Sequence, residues 1–243
     1  MRRTPFPAAW RQILRRHVPA VAGLPANLQL KLKGDVMVFL AEKPFIGCAG
    51  LQVDDTLRVV IAAQACLLQL GRKNHFYPAL RQILVYPSAF VVRRTEAAGL
   101  GLQRDVRRAL SGESWSQGQV ILSWEDVLQG AADAHDGHNV VVHEFAHQLD
   151  QEKGVANGAP PLPLRASRAR WASVLAAAFA RLQTAVARGD EHLIDAYGAS
   201  EPAEFFAVAC EVFFEQPEAL AASEPELFEQ LCLCHRVNPL SWR

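Results

Sequence analysis

Apolar positions recur along this chain at two different periods, and the switches between them give an order of elements. Trp10, Ile13, Leu14 and Val18 fall three and four apart, which predicts a first helix stopped by Pro19. Pro25 opens a second, with Leu28, Leu32, Val36, Phe39 and Leu40 along one stripe; Gly34 weakens it and Pro44 ends it. Residues 45–53 read as a short strand. Asp55 or Thr56 then starts a helix over 57–70, apolar on nearly every side and therefore buried, followed by a turn at 71–74. Ile83-Leu84-Val85-Tyr86 and Ala89-Phe90-Val91-Val92 read as strands broken at Pro87. Residues 94–117 read as loop or ragged hairpin, and 119–122 as another strand.

The second half is helical. Ser123, with Asp126 three residues on, marks the start of a helix over 124–132. A polar connector, 133–138, leads to Asn139, a capping residue, and then to Val140, Val141 and Val142. A Gly- and Pro-rich loop at 154–163 follows. Trp171, Val174, Leu175, Ala178, Phe179 and Leu182 place a long helix over 167–187. Pro202 sits in the first turn of a helix running to about 215, and Pro217 and Pro225 open two short terminal helices. Strands cluster in the middle with helices around them, so the expected class is α+β, mostly helical with a small central sheet. A single domain over 1–243 is expected, its helical N-terminal part (about 1–80) packed on a core over about 81–243.

Composition narrows the function classes. The chain has 243 residues, with Lys plus Arg and Asp plus Glu at 25 each. This zero net charge, with scattered arginine pairs, predicts no direct nucleic-acid partner. Five cysteines, an odd number in a chain of this length, argue against a disulfide framework. Cys232-Leu233-Cys234-His235 has the spacing of helix packing, not of a metal knuckle. The N-terminus lacks an apolar signal core, and the longest apolar run, 59–70, is too short to span a bilayer and contains Gln64. The expectation is a soluble, cytoplasmic protein with no membrane partner.

The chemistry concentrates in His143-Glu144-Phe145-Ala146-His147. Residues four apart share a helix face, so His143 and His147 can grip one zinc ion, with Glu144 one step round to act on a water. Catalytic zinc takes three protein ligands and keeps a position open. The compact arrangement with a third His six residues on fails, since Lys153 stands there. A Glu on a later helix remains: Glu204 first, Glu211 second, seven apart on one apolar-flanked face. Either could instead form an ion pair with an arginine of 167–187. Asp150 could accept a hydrogen bond from a ligating imidazole or bind something else near the helix end. His135 and His138 are possible ligands, with local capping the favoured use. Tyr197, just before the Glu204 helix, is the candidate donor to a developing oxyanion, against the alternative of a buried aromatic.

The block from Asp136 to Asp150 closely resembles the Mlc titration factor A family of zinc peptidases. So do Tyr86-Pro87-Ser88-Ala89-Phe90, Ser123-Trp124-Glu125-Asp126-Val127, Asp195-Ala196-Tyr197 and Pro202-Ala203-Glu204-Phe205-Phe206-Ala207-Val208. These blocks stand in family order across most of the chain. The resemblance implies a zincin-type core similar to the catalytic domain of anthrax lethal factor. It implies Glu204 as third ligand, one zinc per chain, and a cytoplasmic peptidase of aminopeptidase type acting on peptides. It also implies binding of a glucose-responsive transcriptional repressor, so a mainly regulatory, weakly catalytic protein is the alternative, and an amidase with a non-peptide substrate a third. Members often carry Ser where this chain has Cys210.

Overall fold

The computed structural model describes residues 5–72, 77–97, 103–110, 112–115, 118–163 and 167–242. The first half builds a helical layer around one buried helix. Helix α1 (Ala8–His17) and α2 (Ala26–Glu42) both pack on α3 (Asp55–Leu67), which is buried nearly throughout, as its all-round apolar sequence requires. Asp54 caps α3 by accepting the Leu57 N–H at 2.8 Å. The expected strand over 45–53 is cut to β1 (Phe45–Gly47), because Ala49 and Gly50 take positive φ and turn the chain back. The expected turn at 71–74 is described only to Arg72.

The sheet is small and mixed. Strand β2 (Gln82–Tyr86) lies parallel to β1, and β6 (Gln119–Ser123) lies parallel to β2. Strand β5 (Gly112–Trp115) pairs antiparallel with β6 and forms the edge, giving the order β1-β2-β6-β5. Between β2 and β5 the chain leaves the sheet as a two-stranded antiparallel ribbon, β3 (Phe90–Ala97) with β4 (Gln103–Leu110). The hairpin option for 94–117 is thus the one adopted, over its described residues; 98–102, 111, 116 and 117 lie outside them. Ile83 and Val85 of β2, and Val120, Ile121 and Leu122 of β6, are buried beneath the helices.

Strand β6 runs directly into α4 (Trp124–Ala132), capped by the Ser123 hydroxyl at the Asp126 N–H. Helix α5 (Val140–Asp150) then crosses the molecule between α3 and α7 (Pro202–Glu215). Phe145 fixes its inner face: its ring lies 5.7 Å from Phe39 and 4.8 Å from Tyr77, centroid to centroid. The Tyr77 hydroxyl donates to the Ala65 carbonyl at 2.7 Å, tying this aromatic group to α3. Helix α6 (Arg168–Arg188), capped by Ser167, and the short α8 (Pro217–Ser223) and α9 (Pro225–His235) close the other side. His235 is fully buried against Phe213 and Phe214, and burial pushes its imidazole down to about 3, so it packs as a neutral ring. The packing role expected of the Cys232–His235 segment follows from this. All five cysteines are free thiols. Among the described residues no helix is long and apolar enough to cross a membrane.

The loop after α5 is held by Asp150. Its buried carboxylate accepts N–H groups from Asn157 (2.7 Å), Gly158 (2.6 Å) and Ala159 (2.8 Å). Trp171 of α6 donates to the Gly158 carbonyl at 2.9 Å. A Cβ on Gly158 would stand 2.7 Å from the carbonyl oxygen of Pro202, at the start of α7. Asp150 therefore anchors the loop that abuts the α7 N-terminus; the alternative use as partner of an imidazole is not the one its hydrogen bonds serve. Replacing Asp150 by Ala removes the acceptor shared by three N–H groups, of which that of Gly158 is buried while that of Ala159 keeps Asn157 Oδ1 at 3.1 Å, and is expected to lower the unfolding free energy by about 2 kcal/mol, read by urea titration. A loss below about 0.5 kcal/mol would mean that the loop is held by its other contacts.

Candidate metal centre

The site begins at the connector before α5. Asn139 accepts the Val142 N–H at 3.0 Å through its side chain, capping the helix as its sequence position predicts. Its own N–H donates to Glu211 Oε2 at 2.5 Å, and its Nδ2 donates to Glu215 Oε1 at 3.0 Å. Gly137, with φ of 83°, donates its N–H to Glu215 Oε2 at 3.0 Å. Two carboxylates of α7 thus grip the chain where α5 starts.

One turn further on, the histidines face α7. His143 Nε2 and His147 Nε2 lie 3.2 Å apart, and they stand 3.0 and 3.3 Å from the same oxygen, Glu204 Oε2. His143 Nδ1 lies 2.8 Å from Glu211 Oε1, so a proton on Nδ1 is bonded there and Nε2 is the nitrogen turned towards the triangle. Two ring nitrogens and a carboxylate oxygen turned on one point repel unless a proton or cation lies between them. Ligand atoms about 2.0–2.2 Å from one tetrahedral zinc are separated by about 3.3–3.6 Å, so the triangle is a few tenths of an ångström inside the spacing that ion would set. Among the described residues no other cluster of three His, Cys, Asp or Glu side chains has this convergence.

The charges respond to this crowding. Burial alone would raise the Glu204 carboxyl, but hydrogen bonds and charge from His143 and His147 outweigh it and hold it far below the usual carboxylate range. For His143, burial lowers the imidazole, while Glu204 and Glu211 outweigh that and raise it well above its ordinary value. A cation held at this point would take the place of such a proton.

Glu144 stands beside the triangle and outside it. It is 5% exposed, its Oε2 has no hydrogen-bond partner, and burial raises its carboxyl to about 7 against the opposing pull of both histidines. Edge strand β5 runs alongside: a Cβ on Gly112 would sit 2.6 Å from Glu144 Oε1 and 2.8 Å from Val140 Cγ2. Only glycine admits the strand this close. Gly112, Asp126, His138, Glu144, Asp195 and Tyr197 line a cleft of about 630 Å3 that reaches the triangle at His143. Tyr197 is half exposed, on a 3-10 turn whose start Asp195 caps at the Tyr197 N–H (2.7 Å), and its ring centroid is 6.0 Å from that of His143. The alternative of a buried aromatic does not apply to it.

The remaining candidates separate cleanly. Glu211, the second choice for third ligand, lies behind His143 and orients it. His135 and His138 have exposed side chains outside the cluster, and their backbone N–H groups are held by Asp133 and Asp136 in short turns, bonds that do not involve either imidazole. Glu215, four residues after Glu211 on the same face, is among the glutamates the later helix offers, and its bonds to Gly137 and Asn139 are what the sequence did not assign. Gly112 carried no signal, since its closeness to Glu144 is a matter of strand placement.

Comparison with known proteins follows the same lines. The family model for the glucose-regulated metallo-peptidase M90 matches residues 1–236. An uncharacterized protein of Synechocystis sp., slr2042, is 39% identical over 237 residues, covering 97% of this chain and 86% of that protein. Mlc titration factor A of Klebsiella pneumoniae is 37% identical over 237 residues, covering 96% of this chain and 88% of its own length. Mlc titration factor A of Escherichia coli is 36% identical over 234 residues, covering 95% and 86%.

The raised Glu144 carboxyl has a measurable consequence in protein stripped of metal. The folded state keeps a proton up to about 7 that the unfolded state releases near its ordinary 4.5. The contribution of Glu144 to stability is therefore greatest below 4.5 and is lost as pH rises through 7. Chelator-treated wild type is expected to lose stability across this window more steeply than Glu144→Gln in parallel urea titrations. Equal slopes would show that Glu144 ionises normally.

Proposed function

The chain belongs to the M90 family of glucose-regulated metallo-peptidases, and on that premise we propose that it is a zinc-dependent peptidase of aminopeptidase type. The observation that carries this reading is the convergence of His143 Nε2, His147 Nε2 and Glu204 Oε2 beside a buried, unpartnered Glu144 in an open cleft. His143, His147 and Glu204 would hold one zinc per chain. Bound zinc supplies a Lewis acid that activates water and polarises the scissile carbonyl.

The chain's own residues supply the rest. Glu144 takes a proton from the attacking water and passes it to the leaving amine, a double duty suited to a carboxyl near 7. Glu211 keeps His143 in the tautomer that presents Nε2. Tyr197 donates its hydroxyl proton towards the carbonyl oxygen as charge gathers there. Gly112 gives an extended peptide room beside the edge strand β5. A cytoplasmic setting agrees with five free thiols.

The name borne by the Klebsiella and Escherichia relatives supports a second reading, in which the protein binds a transcriptional repressor and hydrolysis is secondary. Two measurements separate the readings. Elemental analysis is expected to give about one zinc per chain for wild type and for Glu144→Gln, and clearly less for Glu204→Ala after a chelator challenge. Peptide hydrolysis by Glu144→Gln is expected to fall at least about 100-fold in kcat/KM. Full activity in that variant would end the general-base assignment. Capture of a repressor that survives in both variants, with no hydrolysis by wild type, would favour the binding reading.

A further inference from the structure

The cleft that reaches His143 carries one sign of charge. Asp126 in the first turn of α4, Asp136 in the connector before α5 and Asp195 at the start of the Tyr197 turn all line it. No Lys or Arg is among the described residues of its lining. The whole chain holds 25 basic and 25 acidic residues, so the local excess comes from placement and not from composition.

The three aspartates stand outside the charge balance of the triangle. The carboxylates that meet its histidines are Glu204 and Glu211. Asp195 Oδ1 accepts the Tyr197 N–H at 2.7 Å, and Asp136 Oδ1 accepts the His138 N–H at 2.9 Å. Those donors are neutral backbone groups, so each charge stays in place. Asp136 also bonds the Glu215 carboxyl, another acid. Among the described residues no Lys, Arg or His forms an ion pair with Asp126, Asp136 or Asp195. Asp195 is also close to the chemistry: it caps the turn of Tyr197, whose ring centroid is 6.0 Å from that of His143.

On a convex surface such charges would be screened by water and salt. A concave site with low-dielectric walls focuses the field of like charges, and can speed the association of an oppositely charged ligand by about 10- to 1,000-fold. Resting on the peptidase reading, we infer that this cleft selects peptides whose residue at the scissile bond is Lys or Arg, with Asp126 and Asp195 setting the preference. An acidic residue at the same place is disfavoured by the same field.

The test compares lysine with norleucine, side chains of similar length that differ in the terminal ammonium. Their aminomethylcoumarin amides are assayed with the full chain at low ionic strength. The lysyl substrate is expected to exceed the norleucyl one about tenfold in kcat/KM, and the ratio is expected to fall below about threefold in about 0.5 M salt. The ratio is expected to drop about threefold in Asp126→Asn and in Asp195→Asn, the latter keeping an oxygen to cap the Tyr197 turn. A merely structural role would slow both substrates together and leave the ratio unchanged. In parallel, lysyl-alanine amide and norleucyl-alanine amide are titrated calorimetrically into Glu144→Gln, and the lysyl peptide is expected to bind about tenfold more tightly. Equal kcat/KM values, equal affinities, no binding of the lysyl peptide, or a ratio that survives both Asn substitutions would overturn the inference. If wild type hydrolyses neither substrate, the peptidase reading fails, and the titration, repeated with wild type, decides the charge preference by itself. If the Asn variants do not fold, the wild-type ratio and its salt dependence decide.

Discussion

The apposition of α5 and α7 is the contact on which the rest depends. It is made by carboxylates that a largely apolar helix carries into the interior. Glu204, Glu211 and Glu215 lie along one side of α7, and each meets a group at or just before the first turns of α5: the His143–His147 pair, the His143 Nδ1 with the Asn139 N–H, and the Asn139 side chain with the Gly137 N–H. Buried carboxylates are tolerated only where donors or cations meet them. The connector 136–139 and the two histidines supply those donors, so the same bonds that neutralise α7 also aim the imidazoles.

This arrangement stores unbalanced charge at one place. Burial lifts Glu144 to about 7 and Glu215 to about 8, the latter against its bond from Asn139, while Glu204 is held far down by the histidines. Carboxyls pushed apart in this way within one polar cluster are the electrostatic condition for acid and base roles to be divided among like groups. A core made only of apolar packing would need none of it. The polar cluster is set into a frame that is itself rigid: Phe145 against Phe39 and Tyr77 on one side, and the Asp150 loop against the α7 N-terminus on the other.

The helix extents were largely legible because their causes are local. Caps act within three residues and apolar stripes within four, so Ser123, Asn139 and Pro202 announced their helices without knowledge of the fold. The strand expected over 45–53 was too long for the same reason in reverse: the positive φ of Ala49 and Gly50 is a backbone choice that an apolar pattern does not encode. Residues 94–117 alternate too weakly to favour ribbon over loop, and pairing between β3 and β4 decided it.

The sequence by itself determined the chemistry available: two histidines one turn apart, a glutamate beside them, and a later helix rich in buried acids, all set by spacing within single helices. It left Glu204 and Glu211 as alternatives on spacing alone, since two residues seven apart share a face and either could point inward. Tertiary structure gives them different places. His143 meets Glu204 across 61 residues of chain and Glu211 across 68, and the crossing of α5 over α7 puts the first at Nε2 and the second at Nδ1. The parallel order of β1, β2 and β6, the approach of Gly112 to Glu144 and the anchoring role of Asp150 belong to the same class. Each is a relation between segments remote in sequence, and no local period records the distance at which such segments come to rest.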